Sequence, residues 1–338
     1  MTLKAFITGC AGTELSPEER AYFAYHRPCG FILFQRNCEN PQQLKALIDS
    51  VRDAVQDDKL LVLVDQEGGK VARLKPPHWT DFPSGLTLGN IYRDKKDEGL
   101  EIVSKISQLL GSELYSLGIN VNCVPVLDIP VAGAHDIIGS RAYGDNAHDI
   151  IEVAKAVIAG HRNAGLLPVI KHIPGHGRAG SDSHEELPVI ETDLETLRST
   201  DFIPFKALNG ELLGMTGHLL LPELDKDNPV STSGKIISEI IRQEIGFDGL
   251  LMSDDLSMEA LDGNMTERTA GVIAAGCDVA LHCNGHFNEM EEVAAASPVL
   301  EGKALDRLNT AKEALCQPKD LDKEQISAWL DEHLHDYA

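Results

Sequence analysis

The sequence is poor in basic residues, because it holds 30 lysines and arginines against 53 aspartates and glutamates and has a formal net charge of -23. Nucleic acid is disfavoured as a partner, since its phosphates require a basic surface. An anionic membrane surface is disfavoured for the same reason. The sequence also lacks any apolar run near the roughly 20 residues that cross a bilayer. We therefore expect no nucleic-acid partner and no membrane partner.

Paired cysteines are also missing. The seven cysteines are scattered, odd in number and contain no CxxC pair, which indicates thiols in a reducing compartment rather than a disulfide framework or a zinc site. The segment Ile7-Thr8-Gly9-Cys10 is similar to a lipoprotein cleavage site, but the apolar stretch before it is too short for a signal peptide. We interpret it as the end of a buried strand.

Short apolar runs alternate with longer amphipathic stretches along the whole chain. They predict eight strands, at 4–9, 30–34, 60–64, 120–127, 167–170, 212–216, 249–252 and 278–281. Continuously apolar runs are typical of parallel strands buried on both faces, and eight βα units are the count of a (β/α)8 TIM barrel. A doubly wound open sheet is the alternative. It requires a glycine-rich phosphate loop after the first strand, which Gly9-Cys10-Ala11-Gly12 matches poorly.

The chain shows no linker or low-complexity segment that would divide it, so we predict a single α/β domain over residues 1–338. A loop is predicted over 75–90, and the last helices fall within 300–335. The helical spacing predicts the other helices from about Ser16 and at 41–55, 96–117, 147–164, 194–208, 234–245 and 266–275.

Ionisable residues follow six of the predicted strands. Barrel enzymes build their active sites at the carboxyl ends of the strands, and a purely structural barrel has no reason to place charged groups there. We therefore predict an active site at this end of the barrel, near Asp65, Asp128, Lys171-His172, His218, Asp254-Asp255 and His282.

Asp254 follows the predicted strand 249–252. A carboxylate at a strand terminus is held rigidly and faces the barrel mouth, where it suits a nucleophile that attacks the anomeric carbon of a sugar, or a metal ligand. The alternative is a helix N-cap, a role that fits Asp255 and Ser257 equally well.

A connection of roughly twenty residues follows the fifth predicted strand, and loops of this length are mostly functional lids or linkers. We interpret it as a lid and expect 173–189 to be mobile without ligand. Within it, Asp182 can fix the tautomer of His184 and form a proton-transfer dyad. The alternatives are a solvated loop, or a zinc site that also uses His172 and His176. The spacing fits no metal motif, so we expect no metal.

Asp65 and Arg73 bracket the segment Glu67-Gly68-Gly69-Lys70. The aspartate can accept hydrogen bonds from sugar hydroxyls, and the arginine presents a planar fork to an oxygen-rich ligand. For Arg73 alone, a surface ion pair is the alternative.

Four segments together resemble glycoside hydrolase family 3. Residues 64–73, VDQEGGKVAR, are similar to its VDxEGGRVxR segment. Residues 171–177, KHIPGHG, with DSH at 182–184, resemble its KHFPGHG…DSH loop. Residues 253–258, SDDLSM, match its nucleophile segment, and residues 138–143, IGSRAY, are similar to another family segment. The DSH loop points to the β-N-acetylglucosaminidase branch.

The resemblance implies a cofactor-free retaining β-N-acetylglucosaminidase of cell-wall recycling, acting on 1,6-anhydro-muropeptides in the cytoplasm. It implies that Asp254 is the nucleophile of a covalent glycosyl-enzyme, that His184 is the acid/base, and that Asp182 tunes His184. It also implies that the N-acetylglucosamine is bound by Asp65, Arg73, Arg141, Lys171, His172 and His218. We expect a monomer whose partner is this carbohydrate.

The departures from the family pattern are small. Gln66 stands where histidine is common, Lys70 where arginine is common, and Ile173 where phenylalanine is common. The sequence after the eighth strand reads only as helices, so we expect the two-domain members to be poor models. Three alternatives stay open: a glycoside phosphorylase on the same fold, a muropeptide-binding protein without catalysis, and a metal-dependent hydrolase.

Overall fold

The structure, a computed structural model, describes residues 2–319 and 322–333. In these residues, nine parallel strand segments form one sheet. They are β1 (Lys4–Thr8), β2 (Pro28–Leu33), β3 (Leu61–Val64), β4 (Val121–Asn122), β5 (Leu167–Pro168), β6 (Ile170–Ile173), β7 (Leu213–Thr216), β8 (Leu250–Asp255) and β9 (Val279–His282). Their order in the sheet is β5-β4-β3-β2-β1-β9-β8-β7-β6.

The sheet closes into a barrel because its two ends are consecutive in the chain. Val169 alone separates β5 from β6, and a parallel bridge joins Val126 to Lys171. Pro168 has no N–H to donate, which interrupts the ladder at this point. The two segments therefore count as one strand of eight, and the predicted (β/α)8 barrel is confirmed.

Alternate residues of the strands fill the inside of the barrel. One cluster of buried side chains takes alternate residues from most of the strands, for example Ile7, Leu63 and Met252. The same cluster includes Leu308 and Ala311 from the last part of the chain, so the helix that carries them covers the amino-terminal end of the barrel. The opposite end stays open, and the predicted site residues lie there.

Helices surround the barrel. They are α1 (Pro17–His26), α2 (Pro41–Val55), α3 (Gly85–Lys95), α4 (Asp97–Ser116), α5 (Ala147–Asn163), α6 (Leu194–Ser199), α7 (Phe202–Ala207), a π-helix (Ile236–Ile245), α8 (Met265–Ala275), α9 (Phe287–Ala296), α10 (Gly302–Ala314) and α11 (Lys323–His333). Among the described residues, none of these helices is long and apolar enough to cross a membrane.

Three helix predictions were wrong. The predicted helix 194–208 is two helices, because Pro204 removes an N–H and its ring conflicts with the carbonyl four residues earlier. The predicted loop 75–90 ends early, since Ser84 caps α3 by accepting a hydrogen bond from the Thr87 N–H. The sequence reading also missed α9, whose N-cap residue His286 makes no side-chain capping hydrogen bond.

Candidate active site

A cavity of about 320 Å³ opens at the carboxyl ends of the strands. Its floor includes apolar side chains from the barrel, such as Ile32, Met215 and Leu281. Seven predicted site residues line it, which are Asp65, Arg73, Arg141, Lys171, His172, His184 and Asp254. The barrel thus brings together residues that are up to 189 positions apart in the chain (254 − 65).

A buried ion network forms one wall of this cavity. The Lys171 ammonium lies 2.9 Å from Asp65 Oδ1 and 2.8 Å from Glu67 Oε1. Arg73 donates to the second oxygen of Asp65 at 3.1 Å. Arg141 donates two hydrogen bonds to Glu67, both at 2.8 Å. Each buried carboxylate therefore has two cationic partners, as a buried charge requires.

The network keeps its members charged. Burial by itself would raise the pKa of Asp65, but Lys171 and Arg73 outweigh burial and hold that pKa far below its usual range. In the same way, Arg141 and Lys171 lower the pKa of Glu67 to about 2. Burial opposes the charge of Lys171, yet the two carboxylates raise its pKa. Sequence analysis missed Glu67, although it lies in the same segment as Asp65.

His172 is fixed by Asp128. Its Nδ1 lies 2.6 Å from Asp128 Oδ2, and its Nε2 lies 3.4 Å from a guanidinium nitrogen of Arg141. Burial would raise the pKa of Asp128, but contacts with His172 lower it, so the carboxylate is ionised and can only accept. His172 Nδ1 therefore carries a proton. The sequence analysis placed Asp128 at a strand end but gave it no role.

The sequence predicted Asp254 just after a strand, but it lies within β8. Its half-buried carboxylate lines the cavity. One oxygen accepts the Asp255 N–H at 2.9 Å. Burial would raise the pKa of Asp254, but the nearby His172 and His218 lower it, so the carboxylate is ionised at neutral pH. The alternative of a helix N-cap was wrong, because Asn264 caps the next helix.

His218 does not line the cavity. It is fully buried, with Nδ1 2.8 Å from Ser231 Oγ and Nε2 3.1 Å from the Asp255 carbonyl oxygen. A carbonyl can only accept, so Nε2 donates and Nδ1 accepts from the serine hydroxyl. Burial lowers the pKa of His218, which is consistent with this neutral ring. The ring therefore lies behind Asp254 and not beside the open space.

Asp182 and His184 form the predicted dyad. Asp182 Oδ1 accepts from the His184 ring at Nδ1, at 2.8 Å, and from the His184 backbone N–H at 2.9 Å. Partial burial by itself would raise the pKa of Asp182, but these hydrogen bonds lower it. The His184 side chain is 64% exposed. With Nδ1 bound to the carboxylate, Nε2 is the nitrogen that can exchange a proton with a ligand.

The alternative of a four-residue metal cluster is not formed. His172 pairs with Asp128, His176 with Ser183, and His184 with Asp182. Within residues 2–319 and 322–333, no group of three or more His, Cys, Asp or Glu side chains is arranged to hold a metal ion.

At the open end of the barrel, an ionised carboxylate, an imidazole–carboxylate dyad and a polar ion network meet, and these are groups that acid/base and nucleophilic catalysis in a barrel enzyme require. Residues 8–313 match the Glycosyl hydrolase family 3 N terminal domain. The chain belongs to this family, and it is a glycoside hydrolase of the β-hexosaminidase type.

Relatives and solved structures agree with this assignment. The chain is 37% identical over 288 residues to a beta-hexosaminidase of Alkalilimnicola ehrlichii, covering 84% of this chain and 82% of the relative. It is 35% identical over 312 residues to a beta-hexosaminidase of Methylobacillus flagellatus, covering 91% and 88%. The structure of native NagZ from Neisseria gonorrhoeae aligns with a TM-score of 0.85 at 28% identity, covering 98% of this chain and 96% of that one.

Proposed function

We propose that this enzyme is a retaining exo-β-N-acetylglucosaminidase. Its substrates would be β-1,4-linked muropeptides, GlcNAc-1,6-anhydroMurNAc-peptides, from which it removes the non-reducing terminal N-acetylglucosamine during cell-wall recycling. The observation that carries the proposal is that an ionised Asp254 and the ring of His184 line one cavity. A solved family 3 β-N-acetylglucosaminidase from Paenibacillus, with a TM-score of 0.85 at 27% identity, supports the choice of sugar.

In the first step, the Asp254 carboxylate attacks the anomeric carbon. The bond to the leaving oxygen breaks, and His184 Nε2 gives that oxygen a proton. In the second step, His184 takes a proton from water, which attacks the same carbon and releases Asp254. Two inversions give net retention. Retaining glycosidases usually employ two carboxylates, and here an imidazole held by Asp182 replaces the second one.

The ion network binds the sugar in this proposal. Asp65 stays ionised, so it is a strong acceptor for sugar hydroxyls. Arg73, Arg141 and Lys171 offer donors from the same wall. His172 has a fixed tautomer and lines the cavity beside them. For His218 we propose a role behind Asp254, because both of its ring nitrogens already have partners.

We further propose a monomeric, single-domain protein that acts in the cytoplasm. The cysteines support the cytoplasmic location, since all seven are free and five of them are buried. Scattered, unpaired thiols are typical of a reducing compartment. A phosphorylase is the second candidate, because an exposed imidazole does not repel an incoming phosphate as a carboxylate would.

The test is hydrolysis of an aryl β-N-acetylglucosaminide by the intact enzyme, Asp254→Ala and His184→Ala. We expect Asp254→Ala to lose at least about 10⁴-fold in kcat, as other enzymes do without their nucleophile. His184→Ala should slow mainly the water-dependent step, and azide should restore turnover as a glycosyl azide of retained configuration.

Four outcomes would contradict the proposal. If Asp254→Ala keeps its activity, the nucleophile is wrong. If sugar-1-phosphate forms in phosphate buffer, the enzyme is a phosphorylase. If a strong chelator abolishes turnover, the reaction depends on a metal. An intact protein that turns over no substrate would favour the non-catalytic alternative.

A further inference from the structure

The segment that carries the dyad is weakly attached to the barrel. Residues 181–187 include Asp182 and His184, and the hydrogen bonds between these two are internal to the segment. To the rest of the described chain the segment makes a single hydrogen bond, between Ser183 Oγ and His176 Nε2 at 3.2 Å. Among its hydrogen bonds, therefore, only this side-chain bond ties the dyad to the rest of the described chain.

The residues just before this segment are held firmly. Arg178 Nε donates to Asp201 Oδ2 at 2.7 Å, and the His135 N–H donates to the Ala179 carbonyl at 2.8 Å. At Gly180 the packing ends, because an added Cβ there would meet no heavy atom within 4 Å. The firmly held part of the loop therefore stops immediately before the residues that transfer protons.

His176 belongs to the firmly held part. Its side chain is buried, and its backbone N–H donates to Asp128 Oδ1 at 2.7 Å, the carboxylate that also fixes His172. Burial lowers the pKa of His176 to about 4, so the ring is neutral near pH 7. Ser183 is buried too, although both of its neighbours are more exposed. A buried hydrogen bond between two neutral groups of this kind fixes the geometry of the groups that make it.

We propose that Ser183 and His176 are positioning residues that set where the Asp182–His184 dyad stands above the cavity. Ser183 lies between the two dyad residues in the chain, so a backbone shift at Ser183 moves both. A displacement of about 1 Å can lower a rate about 100-fold. This inference rests on the proposed function, in which His184 is the acid/base.

The experiment compares Ser183→Ala with Ser181→Ala, a matched control in the same segment. Both are assayed with phenyl and dinitrophenyl β-N-acetylglucosaminides. The phenyl leaving group needs a proton from His184, whereas the dinitrophenyl group does not. We expect Ser183→Ala to lower kcat/KM for the phenyl substrate at least about tenfold, a part of the 10²–10⁴ that general acid–base catalysis supplies. In the same variant, kcat/KM for the dinitrophenyl substrate should change less than about twofold. In Ser181→Ala, kcat/KM should change less than about twofold for both substrates.

The two substrates separate positioning from general damage. Loss of folding, or loss of a direct contact with the sugar, lowers kcat/KM for both substrates alike. Equal losses in Ser183→Ala, or values that match those of Ser181→Ala, would therefore overturn the positioning role. His184→Ala is measured alongside, because it tests the proposed function by itself. If His184→Ala treats the two substrates alike, the acid/base assignment fails whatever Ser183→Ala does.

A second pair of variants tests the other partner. His176→Gln places an amide near the former Nε2, whereas His176→Leu removes every hydrogen-bonding atom from the side chain. We expect the glutamine variant to keep more of the phenyl activity than the leucine variant, with a smaller difference for the dinitrophenyl substrate. Equal phenyl activities would contradict a hydrogen bond to Ser183 as the reason for the effect.

Discussion

Lys171 is a buried cation that contacts two carboxylates at once, so its removal leaves Asp65 and Glu67 each with one cationic partner. We expect Lys171→Met to lower the free energy of unfolding by about 3 kcal/mol, the usual effect of removing one member of a buried ion pair. Urea denaturation measures this change. The control is Lys45→Met, which breaks an exposed pair with Asp49 and should change stability by less than about 1 kcal/mol.

The effect of Lys171→Met should depend on pH in one direction. The folded state lowers the pKa of Glu67 from 4.5 to about 2, so the stabilisation is complete above pH 4.5 and is lost as the pH falls toward 2. The stability difference between the intact enzyme and the variant should therefore shrink as the pH is lowered from 6 to 3. A difference that stays constant over this range would mean that the network does not stabilise the fold through charge.

Several residues that line the cavity were predicted from the sequence, because they lie in or next to strands whose carboxyl ends meet in the folded barrel. Asp65 follows β3, and Lys171 and His172 lie in the short strand β6, and parallel strands bring such positions to one end of the barrel. Glu67 was missed because its partner Arg141 is 74 residues away, and only the folded chain shows that they meet. His218 was misplaced for a similar reason, since the sequence does not reveal that Ser231 occupies its ring nitrogen.

At the scale of elements, the loop after β6 has a firm part and a loose part that differ in their contacts. A Cβ added at Gly177 would lie 2.0 Å from the Ile129 carbonyl oxygen, whereas one added at Gly180 would meet nothing within 4 Å. We expect Gly177→Ala to destabilise the fold by about 1–3 kcal/mol through overpacking. Because Asp128 adjoins Ile129, kcat/KM should also fall.

The matched control is Gly180→Ala, whose stability and kcat/KM should stay close to those of the intact enzyme. Thermal denaturation and hydrolysis of an aryl β-N-acetylglucosaminide measure both quantities. If the two alanine variants behave alike, the division of the loop at Gly180 is wrong. The earlier expectation that all of 173–189 is mobile stays a prediction, and the contacts favour mobility in 181–187.

Elements with strong local signals were predicted closely. The helix 41–55 has the predicted bounds, since Asn40 caps it and Pro41 opens it. The predicted strand 120–127 has regular strand geometry only at Val121–Asn122, and an isolated bridge follows at Val126. Pro125 has no N–H for the ladder, so part of this difference was visible in the sequence. The π-type winding of Ile236–Ile245 was not visible in the sequence, because its apolar spacing also fits an α-helix.

At the scale of the whole molecule, a net charge of -23 opposes the compact state by self-repulsion. Raising the ionic strength from 0.01 to 0.15 M shortens the Debye length from about 30 to about 8 Å, which screens most of this repulsion. We expect the melting temperature at pH 7 to rise by about 2–4 °C, the shift that about 1 kcal/mol causes in a large domain.

Differential scanning fluorimetry in sodium chloride checks this expectation, and pH 5 supplies the control. The isoelectric point of the sequence is about 4.9, so the net charge at pH 5 is close to zero. Added salt should then have little effect on the melting temperature. An equal rise at both pH values would show that salt acts through something other than net charge.

The attachment of the dyad through one hydrogen bond has a consequence for how such an enzyme evolves. The cavity wall that is proposed to bind the sugar is a buried ion network, so most substitutions there also threaten folding. Residues 181–187 contribute little to that framework. In the proposed mechanism, mutation can therefore alter proton transfer, or the choice between water and another acceptor, while sugar binding stays intact. Selection can then act on proton transfer and on sugar binding separately.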